Sequence, residues 1–229
     1  MNKPFVKIGF LGLLVIGMSI VLMMIFPSRA PWLMDGFFTP IIAFEFVQSQ
    51  SEVFRLFGLS SSPDQLSMTQ FMIKAMDLGN RLDYIYMVLY TSFLFFFSFV
   101  CAKNTGRRYY YAGSILSFII LAADALENIQ LLRITSKVAS HDFGKELSLL
   151  HWFTWMKWGG ITVVFLILAP YFLKGRNYSK VIAAIGVSSF IFSILAYLHR
   201  SVLNELLGLS VALMFLMMIA YSFIYKTES

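Results

Sequence analysis

From Gly9 to Phe26 the chain runs 18 residues without a charged side chain, and five more apolar stretches follow, over about 82–102, 109–132, 150–173, 181–198 and 204–225. A helix of about 20 apolar residues is what the hydrocarbon layer of a bilayer requires, because nothing in that layer except the helix itself can satisfy backbone N–H and C=O groups. The recurring length points to an all-α, polytopic transmembrane helical bundle of about six spans, forming one domain over residues 1–229. Composition agrees: 59% of residues are apolar and 13% charged, with 24 phenylalanines, outside the range of a soluble domain.

Lys3 and Lys7 ahead of the first run, with Ser28-Arg29-Ala30 behind it, imitate a secretory signal. Pro31 would follow the cut, and the apolar run is long for a signal core, so an uncleaved first span is expected. Lys3, Lys7, Lys103, Arg107, Arg108, Lys174, Arg176, Lys180 and Lys226 fall on one side of that layout. The positive-inside rule then puts both termini in the cytoplasm of, most simply, a bacterial inner membrane. Tyr109, Tyr110, Tyr111 and Tyr178 in the same loops suggest an interfacial aromatic belt. The net charge of +6 reflects this loop bias rather than a nucleic-acid surface; the expected partners are membrane lipids or a small amphiphile. Cys101, the single cysteine, is read as packing.

The segment 27–81 is too long for a bare loop, and its punctuation suggests interfacial helices within 39–81. Thr39-Pro40 reads as N-cap and first helical residue for IIAFEFVQ. Ser49 and Glu52 form a capping-box pair closed by Gly58, and Ser62, Pro63 and Gln65 open a third helix.

Against this background the stretch AADALENIQLL stands out, since it places Asp124, Glu127 and Asn128 at i, i+3 and i+4, one polar stripe inside a span. With spans alternating in direction, Asp124 lies roughly 13 Å below Arg133, and Lys157 roughly 9 Å below His151, at about 1.5 Å per residue. Asp83, Tyr90 and the lone charge Glu45 of IIAFEFV belong to the same leaflet. Five ionisable groups from four segments thus share one depth, with Lys157 as the expected partner of Asp124 or Glu127. A charge facing lipid at mid-span costs about 2.5–3.5 kcal/mol on insertion scales, so the stripe should face other helices or a wet cavity. One of the two carboxyls is expected to hold its proton near neutral pH, because a dry site and a like-charged neighbour both favour the neutral acid. The plain alternative is a structural ion pair that glues two spans together.

His141, His151 and His199, with Asp142, lack the short ligand spacing of a zinc site, so no metal is assigned and capping or interfacial roles are expected. Trp152, Trp155 and Trp158 repeat every three residues, as a packed or interfacial stripe does, with Trp155 the candidate for stacking on an apolar guest; Gly159 and Gly160 allow close helix approach beside Lys157, which is ordinary bundle packing but also opens room for a ligand. Walker A, GxGxxG, GxSxG and HExxH patterns do not occur, so nucleotide, dinucleotide, serine-hydrolase and zincin chemistry have no support, and the sequence names no cofactor.

The series TPIIAFE, LDYIYMVLYT, DALEN and MKW, within residues 39–158, resembles a family of multi-span bacterial membrane proteins with an Asp-x-x-Glu-Asn element followed by Lys-Trp. No activity is assigned to that family, so the resemblance implies a label and no reaction. Its matching positions are Glu45, Asp83, Tyr90, Asp124, Glu127, Asn128 and Lys157. Three functions stay open. The first is a buried outer-leaflet pocket that binds or modifies a lipid or small amphiphile. There Asp124 or Glu127 would move a proton, Lys157 would be the electrostatic partner, and residues 39–81 would form a lid. The others are a proton- or cation-coupled carrier and a structural or partner subunit.

Overall fold

The computed structural model describes residues 4–59 and 66–225. Within them lie eight α-helices, namely α1 (Val6–Ile25), α2 (Pro40–Glu45), α3 (Gln50–Phe57), α4 (Leu66–Thr105), α5 (Tyr111–Lys137), α6 (Gly144–Leu173), α7 (Asn177–Leu198) and α8 (Val202–Ile224), with a 3-10 turn at Arg108–Tyr110. Six of them, all but α2 and α3, are long and apolar enough to cross a membrane, and the protein is an integral membrane protein. Lys3, Lys226 and the third-helix start at Ser62, Pro63 and Gln65 lie outside the described residues.

Each spanning helix packs on its neighbours in sequence from α4 through α8, and α1 closes the ring by contacting both α4 and α8. The lipid-facing side of α1 shows why a uniformly apolar helix suits this position: Phe10, Leu14, Met23 and Met24 are exposed while Gly9 and Gly12 turn inward. A Cβ on Gly9 would press the Phe223 ring of α8 at 2.8 Å, so the glycine is what lets α1 close the ring.

Two boundaries and one side chain differ from the sequence reading. The expected separate helix before 82 does not exist, since α4 is continuous for 40 residues. No proline interrupts it, and Gly79-Asn80 does not end it; Gly79 instead makes room for the Phe26 ring, which an added Cβ would overlap. α2 stops at Glu45 instead of continuing through Gln48, with Phe46 already out of helical conformation. Tyr110 is no belt residue: it is fully buried, its ring 6.1 Å from that of Tyr171. In α6 the helix runs past Pro170 and ends three residues later.

The segment 27–59 forms a cap over one end of the ring. Met34, Phe37, Phe44, Val53, Leu56 and Phe57 bury themselves on Met72, Met76, Leu131, Ile134, Phe143 and Leu150 at that end of α4, α5 and α6. Ser49 caps α3 by accepting from Glu52 N at 3.3 Å, and Gly58 ends it with φ 71°, a conformation that glycine adopts without a Cβ penalty. The Glu52 half of the box is altered: its carboxylate accepts from Gln48 N and receives the Arg200 guanidinium at 2.9 and 2.5 Å. Thr39 makes no side-chain cap; Thr39 N, Thr39 Oγ1 and Phe38 N all donate to Glu205 of α8 at 2.8 Å. These two clasps hold α2 across the mouth of the ring, against α5, α6 and α8.

Candidate functional site

The cluster beneath α2 begins with Lys157. Halfway along α6, its Nζ meets Glu45 Oε1 at 3.1 Å, Asp124 Oδ1 at 3.6 Å and, in direct contact, Glu127 Oε2. The stripe on α5 supplies the last two because i and i+3 share a face. Asn128 turns the other way and donates through Nδ2 to Asp83 Oδ2 of α4 at 2.7 Å. Tyr90, two turns further along α4, donates its hydroxyl to Asp124 Oδ2 at 2.5 Å.

Of the residues singled out in the sequence, the structure thus brings Glu45, Tyr90, Asp124, Glu127 and Lys157 into one contact set, with Asp83 and Asn128 forming an adjoining pair. Trp155 stands apart. Its ring packs on Phe46 and Tyr197, both at 5.1 Å, on the flank of α6 rather than in the cluster. The indole that serves the cluster is Trp158, whose Nε1 donates to Glu45 Oε2 at 2.9 Å. Thr154 also escaped the sequence reading; its Oγ1 donates to Glu127 Oε1 at 2.6 Å and reaches Glu45 O at 3.2 Å. A signal for both existed, since Thr154 lies at i−3 to Lys157 and i−4 to Trp158 and shares their face. Nothing local could have revealed Glu205 and Arg200 as clasps, because their partners lie about 150 residues away or more.

The cluster is closed. Glu127 is fully buried and Asp124 is 2% exposed, while the Glu45 side chain, at 13%, is the most open of the carboxylates that touch Lys157. Four carboxyl groups, counting Asp83, stand near one ammonium. Burying charge is expensive, and buried ion pairs can commonly be replaced by apolar residues without loss of stability, so packing alone gives little reason for this arrangement. Each carboxylate nonetheless has a donor: tyrosine for Asp124, threonine for Glu127, indole for Glu45 and amide for Asp83. Together these groups can hold or pass a proton and fix the lysine.

On the far side of the tryptophans, a groove of about 290 Å³ runs between α6 and α7, lined by Trp155, Gly159, Ser193, Ile194, Tyr197 and Leu198. A Cβ on Gly159 would meet no atom within 4 Å, so this glycine opens the groove rather than serving close helix packing. Its neighbour Gly160 does the reverse, facing Ile120 of α5 at 2.7 Å from an added Cβ. The histidines lie in separate settings: His141 against Phe54, His151 near Tyr197, and His199 at the end of α7. Among the described residues no group of three His, Cys, Asp or Glu is placed to hold a metal ion.

Comparison of the chain with models of known protein families, with curated proteins and with solved structures finds no match.

Proposed function

We propose that this integral membrane protein binds an amphiphile, its chain in the groove between α6 and α7 and its headgroup directed to the Lys157 cluster. The observation that carries the reading is the link between the two features through Phe46, the residue after Glu45: its ring packs on Trp155, which lines the groove, at 5.1 Å and on Trp158, which bonds Glu45 in the cluster, at 6.4 Å. An apolar channel beside a few placed polar groups is the usual composition of a small-molecule site. Asp124 or Glu127 would act as proton donor or acceptor, Lys157 as electrostatic partner, Tyr90 and Asn128 as orienting groups, and the cap as lid. We place the capped face outside a bacterial inner membrane with both termini cytoplasmic, as loop charge suggests. The likeness to bacterial multi-span proteins carrying Asp-x-x-Glu-Asn and Lys-Trp elements is part of the same proposal.

Mass spectrometry of lipids retained by the purified protein tests it. One amphiphile should be enriched over bulk membrane lipid, and Gly159→Trp, which fills the groove, should remove it while the variant still folds. Retention of bulk lipid alone, or enrichment unchanged by Gly159→Trp, would overturn the reading.

A further inference from the structure

We infer that Glu45 occupies a subsite built for the carboxylate headgroup of a single-chain amphiphile, and that α2 withdraws when that ligand binds. The inference rests on the amphiphile reading above and adds the headgroup chemistry and the means of control.

Two donors from the ring converge on the two oxygens of one carboxylate, Lys157 Nζ on Oε1 at 3.1 Å and Trp158 Nε1 on Oε2 at 2.9 Å. Both donors belong to α6, a spanning helix, whereas the carboxylate arrives on the last residue of a six-residue helix in the cap. Glu45 is also the most exposed of the carboxylates touching Lys157, so it alone can leave without moving a span.

Charge favours the exchange of like for like. With Glu45 withdrawn, Lys157 still faces Asp124 and Glu127, with Asp83 and the Tyr90 hydroxyl on the α4 side. One incoming carboxylate restores the charge of the closed state and re-satisfies the indole N–H, which would otherwise be left without a partner. A dianionic headgroup would add negative charge to an already acidic interior, and a cationic one would meet the ammonium. Trp155 and Gly159 then offer the chain of the ligand its groove on the other flank of α6, reached past Phe46, whose ring packs on both Trp155 and Trp158 and follows α2 in the chain. Glu205, which holds Phe38 N, Thr39 N and Thr39 Oγ1 at the start of α2, sets how firmly the internal carboxylate is kept in place.

The test is binding of cis-parinaric acid and of its methyl ester to the full chain in nanodiscs, read by energy transfer from tryptophan. Glu45→Ala should bind the acid about tenfold more tightly than wild type, with no gain for the ester. Adding Trp158→Phe should erase most of that gain. Glu205→Ala, which loosens α2 without touching the cluster, should shift acid binding the same way by a smaller factor and serves if Glu45→Ala does not fold. Equal gains for acid and ester, or no gain in either variant, would overturn the inference. If wild type retains an enriched amphiphile while neither variant gains affinity for the acid, the subsite falls and the amphiphile site stands.

Discussion

The two ends of the helix ring are filled by opposite chemistries. Under the cap, α4, α5 and α6 turn Tyr90, Asp124, Glu127 and Lys157 inward. At the other end the same helices, with α1 and α8, close on rings: Phe5 on Phe97 at 4.7 Å, Phe97 on Phe172 at 5.7 Å and Phe172 on Tyr221 at 5.2 Å. Three serine hydroxyls in this half are spent on backbone carbonyls, Ser114 on Phe95 O, Ser117 on Gly113 O and Ser222 on Met218 O, while the Ser98, Tyr110 and Tyr171 hydroxyls are buried without a hydrogen-bond partner among the described residues. Among the described residues the buried charged groups therefore stop at the capped half, and the aromatic half behaves as a floor. A carrier would need a polar path across that floor, whereas an amphiphile site entered from one leaflet would not, and this contrast is what favours the amphiphile reading.

Breaking the polar half should have the largest effect. Lys157→Met leaves Asp124 and Glu127 buried without a cation and should cost about 3–5 kcal/mol, measured by thermal unfolding in detergent. Adding Glu127→Gln should recover part of it, and a double variant no more stable than Lys157→Met would show that the lysine is not held by charge. A smaller loss, about 1–2 kcal/mol, is expected for Tyr90→Phe, which removes one interhelical hydrogen bond and leaves the ring packed on Phe215. If that substitution proves neutral, the tyrosine belongs with the aromatic floor rather than with the cluster.

The smallest effect concerns the clasp of the cap. Burial of Glu52 works against its charge, but the Arg200 guanidinium and the backbone N–H groups of Gln48 and Ser49 outweigh that and hold its carboxyl below the usual range. A lowered value in the folded state means the stabilisation is full above the ordinary glutamate range and fades as pH falls through the lowered one. Hydrogen exchange in α2 and α3 should accordingly quicken on acidification, by an amount worth under about 1 kcal/mol, while the aromatic floor stays protected. Replacing Arg200 with Gln should abolish the pH dependence. Persistence of the same profile would assign it to another group.

Much of the bundle was legible in the sequence because bilayer thickness imposes one length on every span, and the DALEN stripe was legible because helical spacing puts its members on one face. Trp158 was harder to separate from Trp155, since a stripe every three residues does not say which ring faces a neighbouring helix and which faces lipid. The continuity of α4 was not legible for a related reason: apolar length marks a span only from about 82, and nothing local shows that the more polar turns before it belong to the same helix.

What the chain determined by itself was periodic and local, namely six spans, their alternation, the α3 cap at Ser49 and Gly58, and a common depth for Asp124 and Lys157. Tertiary structure alone decided that α1 closes the ring, that Glu205 and Arg200 hold the cap, and that Glu45 rather than solvent completes the lysine's shell. The division has a physical cause. Helix periodicity and hydrophobic thickness act over neighbouring residues, whereas a hydrogen bond between residues about 110 or 150 positions apart depends on how whole helices pack, which no local spacing encodes.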